Sequence, residues 1–589
     1  MKRKPKDKTR RRSLILGFMC LLWFALLTLR LVQLQVIEHT QHKETVLNQN
    51  QDIIEILPKR GSIYDRNGLL LAISTPAKHI AYRSQEDDTR QSVRSTMDRL
   101  RSLLPPAFTI TSTEEKYIWA RVQDGHSFSR IKRQVPWDVA RLVEEANIPG
   151  IEFEDSPKRV YPKNTLASHL LGRIGLDGKG QAGVELSYNS VLGGRPGKSL
   201  DLQDGIQRSF GTQVLEPPVP GKDLYLTIDE TIQYHAERRL KQAYAETRAA
   251  RASVIISDPS TGEILAMVNW PPWDPNRKLR NDKDRQQADR NGAIRDVIEH
   301  GSTMKIATFA AALESGKFSM EQTFDCSDGK RFYKRRSITD HKTMGSLTFA
   351  GVFIHSSNVG TTFIADEVGT FPLYNMLIRM GFSQQTGISL PGEEEGRMTH
   401  PDNWDWEFEY AWYSIGYGFS ATALQVLQMA NLVANRGMHI PFRIVKDIPE
   451  DPSALPEQSA PYKRILNQYT ADTLRWLMTE TVMQGTGVPA GVPGYQAAGK
   501  TGTAQKYIHP EGYSSDHHIG SFVGFVPAND PVISMIIVID DPQGKFYGGD
   551  VAAPVFRDIA DQVLRYLRIP KDPGLKRTLL TADSRRENR

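Results

Sequence analysis

Sixteen consecutive uncharged residues, Leu14 to Leu29, constrain what this chain can fold into more than any other feature of its sequence. Leu31 and Val32 continue the apolar run beyond Arg30. A bilayer core is spanned by about 20 apolar residues, and an arginine near a helix end can extend its charged head to the membrane surface. The pattern therefore predicts a transmembrane helix within residues 13–37.

The residues before this run are strongly basic. Residues 1–12 hold eight Lys or Arg and one Asp, whereas the whole chain has a net charge of +6. The excess positive charge is thus concentrated at the head of the chain, without the broad basic face that a nucleic-acid-binding protein needs. Basic residues beside a membrane span face the cytoplasm. We therefore expect a cytoplasmic tail at 1–12 and an exported chain from about residue 40 onward.

A cleaved signal peptide is the competing interpretation of this segment. The residues after the run, Gln33 to Glu38, contain no small-x-small cleavage site of the kind that a signal peptide carries. An uncleaved signal anchor is therefore the better prediction.

The two cysteines limit the chemistry outside the membrane. Cys20 lies inside the apolar run and Cys326 in the exported part, so no disulfide can form within the exported chain. Neither cysteine has neighbours at zinc-binding spacing, and His517 and His518 are predicted to lie in a loop. The sequence also lacks a glycine-rich phosphate loop. We expect neither a metal nor a cofactor.

Composition divides the exported chain into two domains and a tail. Residues 40–225 are polar with short strand-like runs, and Pro217 to Lys222 predict a hinge because proline fixes φ and removes a hydrogen-bond donor. Residues 226–570 have the pattern of a mixed helix-and-sheet domain. Residues 571–589 are polar and are predicted to be disordered.

Apolar runs near both ends of the larger domain predict strands. Ala252–Ser257 and Glu263–Val268 flank a Pro/Gly turn, as expected for an antiparallel hairpin. Ile519–Val526 and Val532–Ile539 form a second pair, and apolar residues recur at helical spacing from 555 to 567. One antiparallel sheet covered by helices accounts for this order, so the predicted fold class is α+β.

Three short motifs occur in order in the larger domain. They are Ser302-Thr303-Met304-Lys305, Ser356-Ser357-Asn358 and Lys500-Thr501-Gly502-Thr503. The S-x-x-K pattern recurs at Ser129–Lys132 and Ser327–Lys330, and S-x-N recurs at Ser187–Asn189, whereas K-T-G occurs once. The first two patterns alone therefore do not identify a site.

The surrounding sequence distinguishes Ser302 from the serines of the other two S-x-x-K patterns. Ser302 follows Gly301 and leads into an alanine-rich run, Ile306–Glu314, which favours a buried helix. At a helix start, positions i and i+3 share one face, so Lys305 is expected beside the Ser302 hydroxyl. A serine needs an adjacent base to act as a nucleophile, and a lysine desolvated in a core can lose its proton. The other S-x-x-K sites lie in polar, charged sequence typical of a surface.

Structural interpretations of the second and third motifs compete with catalysis. Ser356 and Asn358 could cap a helix, since both residue types satisfy free amide groups. Lys500-Thr501-Gly502 could be an ordinary turn. Three such motifs in order favour catalysis over these alternatives.

The three motifs together resemble those of the penicillin-recognising serine acyltransferases. The likeness to class B penicillin-binding proteins extends from about residue 55 to 565. It is carried by the stretches Arg60–Gly68, Arg159–Pro162, Gly180–Glu185 and Ala498–Gln505. Gly416-Tyr417-Gly418, followed by Thr422 and Gln425, resembles the division-specific, FtsI-like branch.

The resemblance implies an architecture and an activity. It implies a transmembrane anchor, a non-catalytic α/β pedestal of the dimerisation type at 40–225 and a penicillin-binding transpeptidase domain at 226–570. The implied reaction is D,D-transpeptidation, which cross-links peptidoglycan stem peptides during septal wall synthesis and is inhibited by β-lactams. The implied location is the bacterial inner membrane at the division septum. The implied partners are a polytopic lipid II polymerase and other division proteins, and no nucleic acid.

The resemblance also implies roles for the first two motifs. Ser302 would attack the penultimate D-Ala carbonyl of a stem peptide and release the terminal D-Ala, while Lys305 takes the hydroxyl proton. Ser356 would relay a proton to the leaving amine, and Asn358 would orient the substrate amide. His300 stands where the family usually has proline, which could alter the entry to the helix.

The third motif is implied to bind the substrate. Lys500 would supply positive potential, and Thr501 and Thr503 would hold the substrate carboxylate, with Gly502 in the same substrate-binding group. The backbone N–H groups of Ser302 and Thr503 would form the oxyanion hole.

Related functions on the same fold stay open. An elongation-type transpeptidase usually differs around Gly416 and often has serine in place of Thr501. A β-lactamase needs a deacylating glutamate, and no such motif is evident between Asn358 and Lys500, although Glu393–Glu395 lie there. A D,D-carboxypeptidase differs in using water as the acceptor, and a β-lactam sensor keeps the fold without the chemistry.

Overall fold

The computed structural model describes residues 7–33, 51–85, 87–203, 209–333, 336–404, 408–454 and 462–572 of the 589-residue chain. By their contacts, residues 1–58 and 194–220 form one compact unit, and residues 59–193 and 221–589 form another. The predicted domain bounds at 225 and 570 do not coincide with this division and stay predictions. The predicted disordered tail, from residue 573 onward, lies outside the described residues.

The α-helices, in chain order, are α1 (Asp7–Val32), α2 (Arg90–Leu103), α3 (Ser112–Gln123), α4 (Trp137–Glu145), α5 (Ser168–Leu171), α6 (Gly183–Ser187), α7 (Asn189–Leu192), α8 (Glu230–Thr247), α9 (Asp282–Ala288), α10 (Gly292–Arg295), α11 (Lys305–Ser315), α12 (Phe349–Ile354), α13 (Asn358–Val368), α14 (Thr370–Arg379), α15 (Phe408–Ser414), α16 (Ala423–Ala434), α17 (Gln468–Gln484), α18 (Gly548–Val551) and α19 (Ala553–Tyr566).

The strands are β1 (Gln51–Ile56), β2 (Ile63–Tyr64), β3 (Leu70–Thr75), β4 (Ala77–Arg83), β5 (Phe128–Pro136), β6 (Ile151–Asp155), β7 (Lys158–Val160), β8 (Arg173–Ile174), β9 (Gly180–Ala182), β10 (Gly197–Gln203), β11 (Ser209–Glu216), β12 (Leu224–Leu226), β13 (Arg251–Ser257), β14 (Ile264–Trp270), β15 (Thr323–Cys326), β16 (Lys330–Tyr333), β17 (Arg336–Thr339), β18 (Gly345–Thr348), β19 (Met438–His439), β20 (Val445–Asp447), β21 (Lys463–Arg464), β22 (Ala498–Ile508), β23 (Gly512–Val526) and β24 (Ile533–Asp540).

The first unit contains the apolar helix and a three-stranded sheet. α1 begins at Asp7, so part of the predicted tail is helical, and its segment Leu14–Val32 is long and apolar enough to cross a membrane. A helix satisfies its own backbone hydrogen bonds, which is what a lipid environment demands. The sheet is antiparallel and has the order β1-β10-β11.

In the second unit, three stretches that carry the family resemblance meet in a buried ion cluster. Arg60 Nε lies 2.6 Å from one carboxylate oxygen of Glu185, and Arg159 Nε lies 2.7 Å from the other. All three side chains are buried. A buried carboxylate is tolerated where charge-assisted hydrogen bonds surround it, so this cluster fixes how distant segments pack.

Strand pairing joins the two sequence halves of the second unit. β12 pairs parallel with β2 and antiparallel with β20, in a sheet of order β20-β12-β2-β3-β7. Strands from the predicted pedestal and the predicted catalytic domain therefore share one sheet. A separate sheet of order β5-β4-β6 packs against α2, α3 and α4 through its own apolar cluster.

The catalytic half is built on a five-stranded antiparallel sheet of order β14-β13-β24-β23-β22. β13 with β14 and β23 with β24 are the two predicted pairs of strands. β23 begins at Gly512 rather than near Ile519, so His517 and His518 lie in a strand and the loop prediction for them is wrong. His517 Nδ1 lies 2.8 Å from Asp541 Oδ1, which gives that histidine an ordinary structural partner.

The sequence predicts helices over this sheet, and they cover both of its faces. Along β24, Ile537 and Ile539 pack in a cluster with α8 and α19, whereas Ile536 and Val538 pack in a cluster with α11 and α16. Alternate residues of a strand point to opposite faces, which explains why residues 535–539 of this strand are all apolar. β22 is the edge strand beside the start of α11, and the three motifs meet there.

Candidate active site

A tight turn presents Ser302 at the start of a buried helix. Gly301–Met304 form a 3-10 turn that runs directly into α11, and Ser302 is half-buried in it. Residues three apart in a 3-10 turn lie on one side, so Lys305 stems from the backbone beneath Ser302. Within the described part of the chain, Ser302 Oγ makes no hydrogen bond to another residue. Catalytic hydrogen bonds commonly tighten when substrate binds.

Two glycines bring the serine turn against β22. Gly301 has φ of +56°, and a Cβ there would lie 2.4 Å from Thr503 O. A Cβ on Gly502 would lie 2.5 Å from His300 O. A larger residue at either position would force the turn and the strand apart, because backbone atoms are what it would meet. The backbones of the serine turn and of the K-T-G strand are therefore in close contact.

Lys305 is fully buried and points at the S-x-N segment. Its Nζ donates to Ser356 O and Asn358 Oδ1, both at 2.7 Å, and lies 3.4 Å from Ser356 Oγ. Burial lowers the pKa of Lys305 to about 7, while the carboxylate of Asp340 opposes the shift. A large fraction of this amine is consequently neutral near physiological pH, as a general base requires.

A second buried lysine completes the cluster. Lys500 Nζ donates to Ser356 Oγ at 2.8 Å and to Thr501 O at 3.2 Å. Burial, and then the charge of Lys305, hold the pKa of Lys500 well below its usual range. The Ser356 hydroxyl thus lies between two amines that cannot both be charged at low cost, so the pair titrates as a coupled unit.

The S-x-N segment has a strained residue and its own cap. Ser356 has φ of +59°, a left-handed conformation that is uncommon outside glycine. The N-cap of α13 is Ser357, whose Oγ accepts the N–H of Gly360 at 2.9 Å. The helix-cap interpretation of Ser356 and Asn358 is therefore wrong, and both side chains contact lysines instead.

The carboxylate of Asp340 binds the S-x-N segment, and no motif in the sequence indicates this contact. Its carboxylate accepts the Ser357 hydroxyl at 2.7 Å and the N–H of Val359 at 3.1 Å, and it also accepts the N–H of Asn358. An acidic group at a helix N-terminus complements the helix dipole. No local spacing links residue 340 to 357, so only the folded chain reveals the contact.

The K-T-G residues lie in a strand, which excludes the turn interpretation. Thr501 Oγ1 lies 2.7 Å from Thr486 Oγ1, a residue that the sequence did not single out. Thr503 Oγ1 accepts the N–H of Gly548 at 3.0 Å. Both hydroxyls are thereby held on the edge strand beside the serine turn.

His300 is buried directly before the serine turn. Its Nε2 lies 3.2 Å from Ala421 O, and its Nδ1 has no partner among the described residues. Burial lowers the pKa of His300 to about 4, so the ring is neutral at physiological pH. Its φ of −98° differs from the value near −65° that a proline would impose.

The Gly416-Tyr417-Gly418 segment packs against the serine turn. Gly416 has φ of +88°, and a Cβ there would lie 2.0 Å from Gly301 O. The Tyr417 hydroxyl accepts the N–H of Gln505 at 3.1 Å, beyond the K-T-G residues. The segment therefore contacts both the serine turn and the edge strand β22.

The serines of the rival motifs do not contact the two buried lysines, although the loop at 327–330 borders the site through Gly329 O, which accepts the N–H of Asp340 at 2.9 Å. Ser129 is in β5, and its motif partner Lys132 binds Glu114 at 2.6 Å. Ser327 is exposed between β15 and β16. In the second S-x-N, Asn189 Oδ1 accepts from Arg60 Nη1 at 2.7 Å.

Family models match most of the exported chain. The model of the penicillin binding protein transpeptidase domain matches residues 252–561. The model of the penicillin-binding protein dimerisation domain matches residues 55–226. Catalytic and non-catalytic regions therefore occur in the order that the sequence predicts.

Curated proteins and solved structures are similar along nearly the whole chain. The probable peptidoglycan D,D-transpeptidase PenA of Neisseria gonorrhoeae is 32% identical over 96% of this chain and 94% of its own length. The peptidoglycan D,D-transpeptidase FtsI of Escherichia coli K12 is 31% identical over 97% and 95%. The crystal structure of penicillin binding protein 3 of Mycobacterium tuberculosis, complexed with aztreonam, is 29% identical, covers 89% of this chain and 99% of that chain, and has a TM-score of 0.66.

Similarity over both domains carries more weight than three short motifs can. Both family models match this chain, and the curated relatives align over nearly its whole length. The two buried lysines beside the serine turn are consistent with the same family. The chain therefore belongs to the class B penicillin-binding proteins, the serine-type peptidoglycan D,D-transpeptidases.

Proposed function

We propose that this protein cross-links septal peptidoglycan during cell division through an acyl-enzyme formed on Ser302. The observation that carries the chemistry is the Ser356 hydroxyl, which lies 3.4 Å from Lys305 Nζ and 2.8 Å from Lys500 Nζ beside the serine turn. The septal role is supported by the similarity to FtsI and by the Gly416-Tyr417-Gly418 segment.

In the proposed acylation, Ser302 Oγ forms a bond to the carbonyl carbon of the penultimate D-Ala. Its proton passes to the neutral amine of Lys305. The oxygen of the tetrahedral intermediate accepts hydrogen bonds from the backbone N–H groups of Ser302 and Thr503. One such donor typically contributes about 2.7–4 kcal/mol to transition-state stabilisation.

The tetrahedral intermediate then breaks down. The bond from the carbonyl carbon to the terminal D-Ala nitrogen breaks, and that nitrogen takes the proton of the Ser356 hydroxyl. Ser356 regains a proton from Lys305, which lies within reach. The amine of a second stem peptide then attacks the ester carbonyl, forms the cross-linking amide and restores the Ser302 hydroxyl.

The substrate roles fall to the edge strand. Lys500 supplies positive potential, Thr501 and Thr503 hold the terminal carboxylate, and Gly502 lets the strand approach the serine turn. Asn358 orients the peptide amide. A β-lactam reacts with the same Ser302 hydroxyl, a proposal supported by the aztreonam and ampicillin complexes of the Mycobacterium tuberculosis relative.

A single-pass location suits this substrate. Residues 14–32 anchor the chain in the inner membrane with the N-terminus in the cytoplasm and the catalytic domain outside, at the division septum. A polytopic lipid II polymerase and other division proteins are the proposed partners. Replacing residues 14–37 by an unrelated span tests the role of the anchor: lost co-purification with the polymerase supports it, and unchanged co-purification contradicts it.

The catalytic proposal is tested with a fluorescent penicillin. Wild-type protein should retain the covalent label for hours, and Ser302→Ala should lose it while unfolding at the same temperature. Ser327→Ala, in an exposed rival motif, is the matched control and should label normally. Rapid loss of label from wild type would instead identify a β-lactamase.

The acceptor and the septal role need two further measurements. Incubation with a pentapeptide donor and an amine acceptor should give cross-linked product, whereas release of D-Ala alone would identify a carboxypeptidase. Depletion in the source bacterium should produce filaments without septa. Rounded cells that still divide would point to the elongation branch.

A further inference from the structure

A basic cavity lies apart from the three motifs. It is open to solvent, has a volume of about 1200 Å³ and lies between residues 133–181 and the segment 273–285. Seven lysine or arginine side chains line it, against a single carboxylate, that of Asp177. The two segments come from the regions that match the dimerisation and transpeptidase families, respectively.

Three of these cations have no compensating partner. Arg133, Lys158 and Lys278 form no ion pair within the described residues. Lys158 is half-buried, whereas the other two are exposed. Like charges gathered around a concave surface reinforce one another's potential, because the protein wall screens them less than water does. The cavity therefore attracts anions.

The other cations have carboxylate partners outside the lining. Arg173 binds Asp289 through two hydrogen bonds of 2.8 and 2.9 Å, which fixes its guanidinium at the cavity wall. Arg277 and Arg285 pair with aspartates three residues away along the chain, and both remain largely exposed. Exposed pairs of this kind are weak, so these two side chains can turn toward a ligand.

Two buried donors of the lining lack acceptors. Arg159 is 6% exposed. Its Nε donates to Glu185 and its Nη1 donates to Gly61 O. Its Nη2 has no hydrogen-bond partner among the described residues. Trp273 Nε1 is likewise buried without a partner. Both groups can only donate, so only an acceptor can satisfy them. A buried donor without an acceptor costs about 1–3 kcal/mol.

We propose that this cavity binds a phosphate or pyrophosphate group, a function that no part of the transpeptidase reaction requires. Phosphate oxygens are acceptors that match the forked guanidinium groups of the lining. The two orphan donors are closed to water in this structure, so a phosphate reaches them only if the cavity wall shifts on binding. A single carboxylate would offset only one of the three unpaired cations, and a water would offset none. The ligand is either a free phosphate compound or the headgroup of an anionic lipid.

Calorimetric titration of the full-length protein in detergent with inorganic pyrophosphate tests the proposal. Wild type should bind with saturable heat. Lys158→Gln/Lys278→Gln should weaken binding about tenfold or more. The control, Arg94→Gln/Lys116→Gln, removes two exposed charges that do not line the cavity and should bind as wild type does. No saturable binding by wild type, or equal weakening in both double variants, would overturn the proposal.

Trp273→Phe separates a ligand contact from a structural one. The change keeps an aromatic ring and removes only the N–H that lacks an acceptor. Without ligand, its unfolding temperature should equal or exceed that of wild type, and its pyrophosphate affinity should fall about fivefold to tenfold. A lower unfolding temperature without ligand, with unchanged affinity, would contradict the proposal. Normal penicillin labelling of the variant shows that the serine site is intact.

Competition identifies the source of the phosphate group. In phosphatidylcholine nanodiscs, adding phosphatidylglycerol should weaken pyrophosphate binding if the ligand is a lipid headgroup. Unchanged binding assigns the cavity to a free phosphate compound. A glutamate-rich peptide that binds the cavity and is not displaced by pyrophosphate would overturn the proposal in favour of an acidic protein partner.

Discussion

At the scale of single residues, Lys305 is the proposed base, and its buried amine should set the pH at which Ser302 reacts. Its pKa is lowered to about 7 by burial, so the neutral form that accepts the serine proton grows as pH rises through about 7. We expect the rate of acylation by a β-lactam to rise through this range and then level off. Stopped-flow rates across the pH range measure it. A rate that falls through pH 7, or rises only near the pKa of an ordinary lysine, would contradict the proposed role of Lys305 as the base.

Asp340 should act on the reaction through Lys305. Its charge raises the pKa of that amine, opposing burial, so Asp340→Asn should shift the acylation profile to lower pH. Loss of charge at the N-terminus of α13 should also lower the free energy of unfolding by about 0.5–2 kcal/mol. The pH profile and denaturant unfolding measure the two effects. A lower stability with an unshifted profile would assign Asp340 a purely structural role.

Site residues can be predicted from the sequence where they lie a few positions apart along the chain. Ser302 and Lys305 are three residues apart across one turn, so their relation is visible without a fold. Asp340 and Thr486 contact the site only after distant segments have packed, so no spacing could reveal them. The burial that lowers the lysine pKa values is also a property of the whole core.

At the scale of elements, the contact between β22 and the serine turn depends on glycine. A Cβ on Gly502 would lie 2.4 Å from Ser521 Oγ and 2.5 Å from His300 O. Gly502→Ala should therefore push the strand from the turn and slow acylation about 100-fold to 1000-fold, the effect of losing one oxyanion donor. The rate constant for acylation by a β-lactam measures it.

Gly491→Ala is the matched control for this change. Gly491 has an ordinary φ, and its Cβ would meet a single carbonyl oxygen at 3.3 Å. This variant should acylate at nearly the wild-type rate. Equal slowing in both variants would indicate a general loss of structure rather than a displaced strand.

Strands were predictable where both faces are buried and not where the strand leaves the core. Residues 519–526 of β23 are apolar or small, and the sequence predicts a strand there. Residues 512–518 are mostly polar and, apart from His518, at least partly exposed. Such a segment has no hydrophobic pattern, because most of its side chains are polar and at least partly exposed. Hydrogen bonding to β22 extends the strand there instead.

At the scale of the whole molecule, a buried neutral histidine makes the free energy of unfolding depend on pH. Burial lowers the pKa of His300 to about 4 from the usual 6.5, so the unfolded chain binds more protons between these values. Stability should therefore fall as pH drops through this window. His300→Gln removes that contribution, worth up to about 3 kcal/mol near pH 4.

Denaturant unfolding of both proteins at pH 7 and near pH 4.5 measures the difference. The variant should lose less stability than wild type on acidification. His169 is also buried with a pKa lowered to about 4, and it is present in both proteins, so its contribution cancels. Parallel losses in the two proteins would show that His300 titrates normally.

The overall architecture was predictable, but the pairing of its parts was not. The order of apolar runs predicts an antiparallel sheet covered by helices. The parallel pairing of β12 with β2, by contrast, places residues 63–64 and 224–225 side by side. Neither short strand has a sequence pattern that predicts this pairing. The Arg60, Arg159 and Glu185 cluster likewise appears only when three separate segments meet.

Peptide mapping after benzylpenicillin treatment identifies the side chain that reacts. Trypsin should release the peptide Asp296–Lys305, in which Ser302 and Thr303 are the hydroxyl residues. The penicilloyl adduct should lie on Ser302. An adduct on another serine, such as Ser129 or Ser327, or stoichiometric labelling of Ser302→Ala, would contradict it.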